Sequence, residues 1–187
     1  HNHLDHVSDL LALLKARWLA GEEHLEVVGP AGTKSLLDGL LDVHDYLDGR
    51  VDLSVREIGP TAVSVAGFDV SATRMDHSVK CLAYRFSGAD GDVVYSGDGE
   101  ASASLASFAD GAAVLAHDCS FPDDVDVATH PTASQLGEVL SGHDFGRVYL
   151  THLYPHTEGR HDEMLDSIAR SYGGEVRFAR DGLRVEV

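Results

Sequence analysis

Six residues at the start of the chain, His1-Asn2-His3-Leu4-Asp5-His6, carry four metal-binding side chains in the pattern His-x-His-x-Asp-His. A cluster this dense constrains the fold, because its partners must be delivered from distant parts of the sequence. Imidazole nitrogen and carboxylate oxygen suit borderline cations such as zinc, and open sites built from them are catalytic rather than structural. An open zinc spends about three protein ligands. Four donors therefore fit two ions about 3.5–4 Å apart, with His1 and His3 serving one and Asp5 and His6 the other. The alternative is an expression tag or polar tail. The patterned spacing and the residues further along favour the metal.

Those residues come in order. His77 stands in Met75-Asp76-His77-Ser78, just before the strand-like run from Cys81 to Phe86. Asp98 closes Val93-Val94-Tyr95-Ser96-Gly97-Asp98-Gly99, a strand running into a glycine-flanked turn. His130 lies in His130-Pro131-Thr132 ahead of a helical pattern, and His152 ends the apolar run from Val148 to Thr151. Each falls at a strand end or in the loop after it, where α/β folds gather their chemistry. A lone histidine after a strand is more often a hydrogen-bonded structural residue than a ligand. Together these residues supply the two histidines and the bridging acid that a dinuclear site still lacks.

The ordered series His-x-His-x-Asp-His, His before a Tyr-Arg strand, Ser-Gly-Asp, His-x-Thr and Leu-Thr-His resembles the metallo-β-lactamase superfamily. Within it, the chain is most similar to the branch that contains the tRNA 3′-processing endonuclease ribonuclease Z, and the likeness runs from residue 1 to Val187. The resemblance implies the αββα sandwich of that family. It implies two zinc ions, with manganese(II) or iron(II) as alternatives, one held by His1, His3 and His77. Asp5, His6 and His152 would hold the second ion, and Asp98 would bridge the pair. Asp5 would also orient the attacking water, and His130 would donate the proton to the leaving group.

Three motifs depart from the family's pattern. Its Gly-Asp-Thr is Gly97-Asp98-Gly99 here, and its His-Ser-Thr is His130-Pro131-Thr132; neither change touches a ligand. The ribonuclease motif His-Glu-Ala-Thr-Phe reads His117-Asp118-Cys119-Ser120-Phe121, with an acid one methylene shorter. Asp118 is either an acid that orients the His130 imidazole, a recurring device for fixing a tautomer, or a plain surface or capping aspartate.

The familiar bacterial ribonuclease Z carries a long tRNA-gripping insertion between its Tyr-Arg strand and Gly-Asp. Here a short hairpin turning at Gly88-Ala89-Asp90-Gly91-Asp92 takes that place. The chain is thus similar to compact members of the branch, and the expected substrate is a small phosphodiester or related ester. The alternatives are the tRNA 3′-processing reaction, an aryl sulfatase, a lactonase or a non-catalytic binding module. Loss of catalysis normally shows as loss of ligands, and all seven ligand positions and His130 are filled. The family's opening strands, roughly 50–60 residues, precede the His-x-His motif, so the chain is expected to be the C-terminal portion of a longer protein, as one domain over 1–187.

The formal net charge is −17, from 21 aspartates and 10 glutamates against 11 arginines and three lysines. An acidic shell poor in lysine suits a high-salt cytoplasm, where self-repulsion is screened, and a halophilic source is expected. No basic run neutralises phosphates, which counts against tRNA, though weakly, since halophile nucleic-acid enzymes are themselves acidic. No run of 18 apolar residues appears, so no membrane partner is expected. Cys81 and Cys119 make no disulfide framework and read as buried thiols. A cytoplasmic homodimer is the remaining expectation.

Helical spacing of Val7, Leu10, Leu11, Leu14 and Trp18 predicts a helix ending at Gly21, and a second helix carries Leu36, Leu37, Leu40, Leu41 and Leu47. Strands are predicted at 25–28, 51–58, 63–74, 81–87, 92–96, 112–117 and 147–151, with helices at 101–109, 132–141 and 161–172. An antiparallel pair around Asp181-Gly182 finishes the chain. The interleaving is that of a layered α/β fold. His24, His44, His143, His156 and His161 read as surface residues without matching acids, and Tyr154 is open between packing and substrate contact.

Overall fold

A computed structural model describes every residue except Glu23 and Asp126. The chain divides into two compact units, His1–Gly59 and Pro60–Val187.

In the first unit, α1 (Leu4–Val7) and α2 (Leu10–Leu19) replace the single helix expected from Val7. The strands β1 (His24–Gly29) and β2 (Asp52–Glu57) pair in parallel from His24↔Asp52 to Gly29↔Glu57. Parallel neighbours need a crossover, and α3 (Thr33–Val43) with a 3-10 turn at Asp45–Leu47 supplies it. Leu14, Leu37 and Leu47 are buried. The first turn of α3 leaves backbone N–H groups without helical partners. Glu57 Oε1 on β2 accepts from Gly32 N at 2.8 Å and Lys34 N at 3.0 Å.

The second unit is a seven-stranded sheet in the order β3-β4-β5-β6-β7-β8-β9. Strands β3 (Thr61–Val65), β4 (Phe68–Met75), β5 (Cys81–Ser87) and β6 (Val93–Tyr95) form an antiparallel meander. From β6 onward, β7 (Val114–Asp118), β8 (Arg147–Thr151) and β9 (Val176–Phe178) run parallel, connected through α4 (Ala103–Ala109), α5 (Ala133–Leu140) and α6 (His161–Ala169). Val94, Leu115, Val148 and Leu150 from the sheet meet Leu136 and Leu140 of α5 and Met164 and Ile168 of α6 in one core. Burying each such side chain is worth about 1.5–3 kcal/mol. The mixed α/β architecture agrees with the fold class read from the sequence.

Two element assignments are corrected. The strand expected over 63–74 is a hairpin, because Ala66 (φ 49°) and Gly67 (φ 87°) both adopt the left-handed conformation of a tight turn. The antiparallel pair at the C-terminus does not form. Instead β9 adds in parallel to β8, Val148↔Val176 to Leu150↔Phe178, where an open edge offers hydrogen bonds, and no strand follows it. No helix among the described residues is long and apolar enough to cross a membrane.

Candidate metal centre and proton-transfer site

In the first unit, the His1 ring centroid lies 4.7 Å from that of His3 and 4.0 Å from that of His6. The His3 amide donates to His1 Nδ1 at 3.2 Å, and His6 Nε2 stands 3.5 Å from Asp5 Oδ2. Three imidazoles and a carboxylate are thus gathered within one turn, a donor set of the kind that ligates borderline cations. The short α1 produces it by bringing His3 and His6 onto one turn, with His6 N donating to His3 O.

In the second unit the topology does the gathering. Asp98 follows β6, Asp118 ends β7 and His152 follows β8, so three adjacent parallel strands present acid or imidazole at their carboxyl ends. Because β5 runs antiparallel to β6, the loop before it, which carries His77, reaches the same edge. His130 arrives from the loop between β7 and α5. His77 Nδ1 lies 3.4 Å from Thr129 O, and its ring is 5.2 Å from that of His130.

Asp98 is 2% exposed, and His152 Nε2 stands 3.0 Å from its Oδ2. A buried carboxylate facing an imidazole calls for positive charge, which a divalent cation supplies as well as a proton does. The donor set thus fits a metal. Gly97 (φ 64°) makes the turn that aims Asp98, and a Cβ there would lie 3.0 Å from both Cys81 Sγ and Leu82 O. At Gly99, a Cβ would come within 2.9 Å of Asp76 O, which accounts for glycine where the family has threonine. Gly97→Ala is therefore expected to destabilise the fold by about 1–3 kcal/mol. Urea unfolding would check it, and an unchanged midpoint would mean that the neighbours yield without cost.

Asp118 is fully buried and collects three donors. His130 Nδ1 is 2.8 Å from Oδ2, Gly99 N donates to Oδ2 at 3.1 Å, and Ser120 Oγ donates to Oδ1 at 2.5 Å. Ser120 Oγ is also 3.0 Å from His152 Nδ1. One carboxylate thus anchors two imidazoles, His130 directly and His152 through the serine. Asp118, His130 and His152 each place a donor atom within 4.8 Å of the others. With Nδ1 tied, the chemistry of each ring is left to Nε2. Sequence reasoning assigns Ser120 no role, although its place two residues after Asp118 in the ribonuclease-like motif is a signal. The backbone is bent to make the site, since Thr129 (φ 78°) and His152 (φ 57°) are left-handed without being glycine. Such residues cost of order 1 kcal/mol and concentrate at functional positions.

The remaining histidines stay outside this arrangement, although two have acids. His24 Nδ1 is 2.9 Å from Asp52 and His143 Nδ1 3.5 Å from Asp110. His161 stacks on Phe178, while His156 and Tyr154 flank Phe121. His44 lies edge-on to Tyr46. Cys81 and Cys119 are free and buried, and burial pushes both thiols up, away from reactivity. His117 is wholly buried, and burial pushes its pKa down, keeping the ring neutral.

Comparison with known proteins identifies the family. The family profile of the Beta-lactamase superfamily domain matches residues 1–153. A ribonuclease Z from Mycobacterium sp. (strain KMS) is 27% identical over 215 residues, covering 100% of this chain and 75% of the relative. The crystal structure of the metallo-β-lactamase fold protein YhfI from Bacillus subtilis aligns with TM-score 0.80 at 25% identity, over 98% of this chain and 73% of that one. Human tRNase Z, short form, aligns with TM-score 0.66 at 16% identity, over 98% and 75%. The chain belongs to the metallo-β-lactamase superfamily.

Proposed function

We propose that the chain is a dinuclear zinc hydrolase of small phosphodiesters. The observation that carries the reading is the Asp118–His130 pair. It is a partly buried imidazole oriented through Nδ1 by a fully buried carboxylate, in the same unit as the converging Asp98 and His152. The ligand set follows the motif order and the family. By that order His1, His3 and His77 would hold one ion, Asp5, His6 and His152 would hold the other, and Asp98 would serve both. When bound, the ions supply positive charge that lowers the pKa of water and offsets charge developing on the phosphoryl oxygens. Asp5 orients the attacking water. His130 protonates the leaving oxygen from Nε2, Asp118 stabilising the imidazolium formed as the ring is recharged.

A second reading, tRNA 3′ processing, is favoured by the name of the curated relatives, which are ribonucleases Z. Three observations favour the small substrate. The β5–β6 hairpin closes at Phe86↔Val93 and is pinned by Arg85 Nε to Asp92 at 2.6 Å, leaving no arm there. The alignment with the mycobacterial relative runs over 215 positions against 187 residues here, so that relative carries residues within the matched span that this chain lacks. The net charge of −17 also repels polyanions.

Assays of bis(p-nitrophenyl) phosphate, an aryl sulfate, a lactone and 3′-extended tRNA, at low and at molar salt, test the choice. Diester turnover is expected to exceed tRNA cleavage by about tenfold or more, the gap narrowing as salt screens the repulsion. Efficient, site-specific tRNA cleavage at either salt level would establish the second reading instead.

A further inference from the structure

Beside His130, the second unit holds a cavity of about 330 Å³ whose walls include Glu100, Thr129, His130, Gln135, Glu138 and Val139. The His130 side chain is only 10% exposed, yet it forms part of that wall. Its Nδ1 is taken by Asp118, while its Nε2 makes no hydrogen bond among the described residues. A partly buried ring with Nδ1 anchored and standing in the wall of a cavity is placed to serve whatever enters it. The cavity wall carries two carboxylates and no lysine or arginine. Glu100 and Glu138 form no ion pair among the described residues, and Gln135 spends its side-chain oxygen on the Thr132 amide.

We infer that this cavity is the leaving-group pocket, and that Glu100 and Glu138 make it select a cationic alcohol over an anionic one. The inference rests on the hydrolase reading and adds a substrate class to it. A leaving oxygen must sit within hydrogen-bond reach of the proton it receives, so the alcohol attached to it lies in the space that His130 faces. An anionic tail there meets two carboxylates well inside the ~10 Å screening length of 0.1 M salt. A cationic tail is attracted by the same pair, and an uncharged one packs against Val139. The volume is at the small end for a ligand pocket and suits a short alcohol rather than a nucleotide chain. In the reaction, water adds its oxygen to phosphorus and the phosphorus–alkoxide bond breaks. His130 gives the alkoxide its proton and is recharged by a proton lost from the attacking water.

The test uses three methyl phosphodiesters differing only in the second alcohol, which is 4-aminobutan-1-ol, pentan-1-ol or 4-hydroxybutanoate. Release of methyl phosphate is followed by phosphorus NMR on the metal-loaded protein. The expected kcat/KM falls in that order, with amino above carboxylate by about tenfold or more. The double variant Glu100→Gln, Glu138→Lys is expected to cut that ratio at least about tenfold. Binding is read separately. In the unmodified protein, 4-aminobutan-1-ol should shift the amide signals of Thr129 and Val139 saturably, and in the double variant it should not. A carboxylate ester cleaved as well as the amino ester, or a ratio untouched by the substitutions, overturns the proposal. If no diester is cleaved while the amino alcohol still binds and the variant still loses it, the hydrolase reading falls and the cation pocket stands. If neither binding nor turnover occurs, both fall.

Discussion

Asp98→Ala is expected to lower the metal content from about two ions per chain to fewer than one, and to reduce turnover by about 10³-fold or more. Substituting groups that merely orient a ligand costs about 10–100-fold in metal affinity or activity, so removing the acid proposed to bridge both ions must cost more. The geometry shows how closely Asp98 is placed. Asp98 is buried, Gly97 and Gly99 hold it by close approaches to β5 and to the loop before it, and His152 Nε2 already points at its carboxylate. Asp98→Asn keeps the shape and removes the charge, so it separates the loss of a shared anion from local collapse. Elemental analysis of protein purified without chelators, with a thermal melt to show that each variant folds, measures the outcome. An Asp98→Ala protein that kept two ions and its turnover would remove Asp98 from the site.

The parts of the site that are legible in the sequence are those in which the fold repeats a local device. Asp98, Asp118 and His152 each close an apolar run, and parallel strands lying side by side bring such ends together. A strand end is a local event, so the residues at it can be named from the sequence around them. Ser120 cannot be given a role that way. Its link from Asp118 to His152 crosses from β7 to β8, and no spacing within either segment encodes it. Glu57 is a similar case, an exposed strand-end acid whose work is to satisfy amides of α3 in another part of the sequence.

The misread elements fail for a related reason. From Thr61 to Met75 the sequence keeps the extended character of a strand, and the only mark of the turn is Ala66-Gly67, a weaker signal than Asn-Gly or Asp-Gly. At the C-terminus, Asp181-Gly182 does carry a turn signal and Gly182 is left-handed, so a hairpin is the local expectation. What decides the pairing of Val176–Phe178 is the open edge of β8, a tertiary fact. Edge hydrogen bonds are available to any extended segment that arrives, and arrival is governed by the packing of α6 against the core.

His130→Ala should leave the metal content unchanged and reduce turnover of alkyl diesters by about 10²–10⁴-fold, the usual worth of a positioned proton donor. The loss should shrink to less than about tenfold on bis(p-nitrophenyl) phosphate, because nitrophenolate leaves without a proton and has no use for the donor. This split between substrates is what marks a general acid, since a ring needed only for folding or metal binding would depress both substrates alike. Asp118→Asn is the companion test. It keeps an oxygen within reach of His130 Nδ1 but weakens its hold on the imidazolium, so the same split is expected with a smaller amplitude. Both variants disturb a buried polar network, and an acid left with a missing partner costs about 1–3 kcal/mol, so melting curves must accompany the kinetics. Loss of metal from His130→Ala would make His130 a ligand, with Asp118, His130 and His152 then forming a binding triad rather than an acid and its supports. Equal losses on both diesters with metal retained would leave the leaving group's proton to another donor, and the cavity beside His130 would no longer be the place where the alcohol departs.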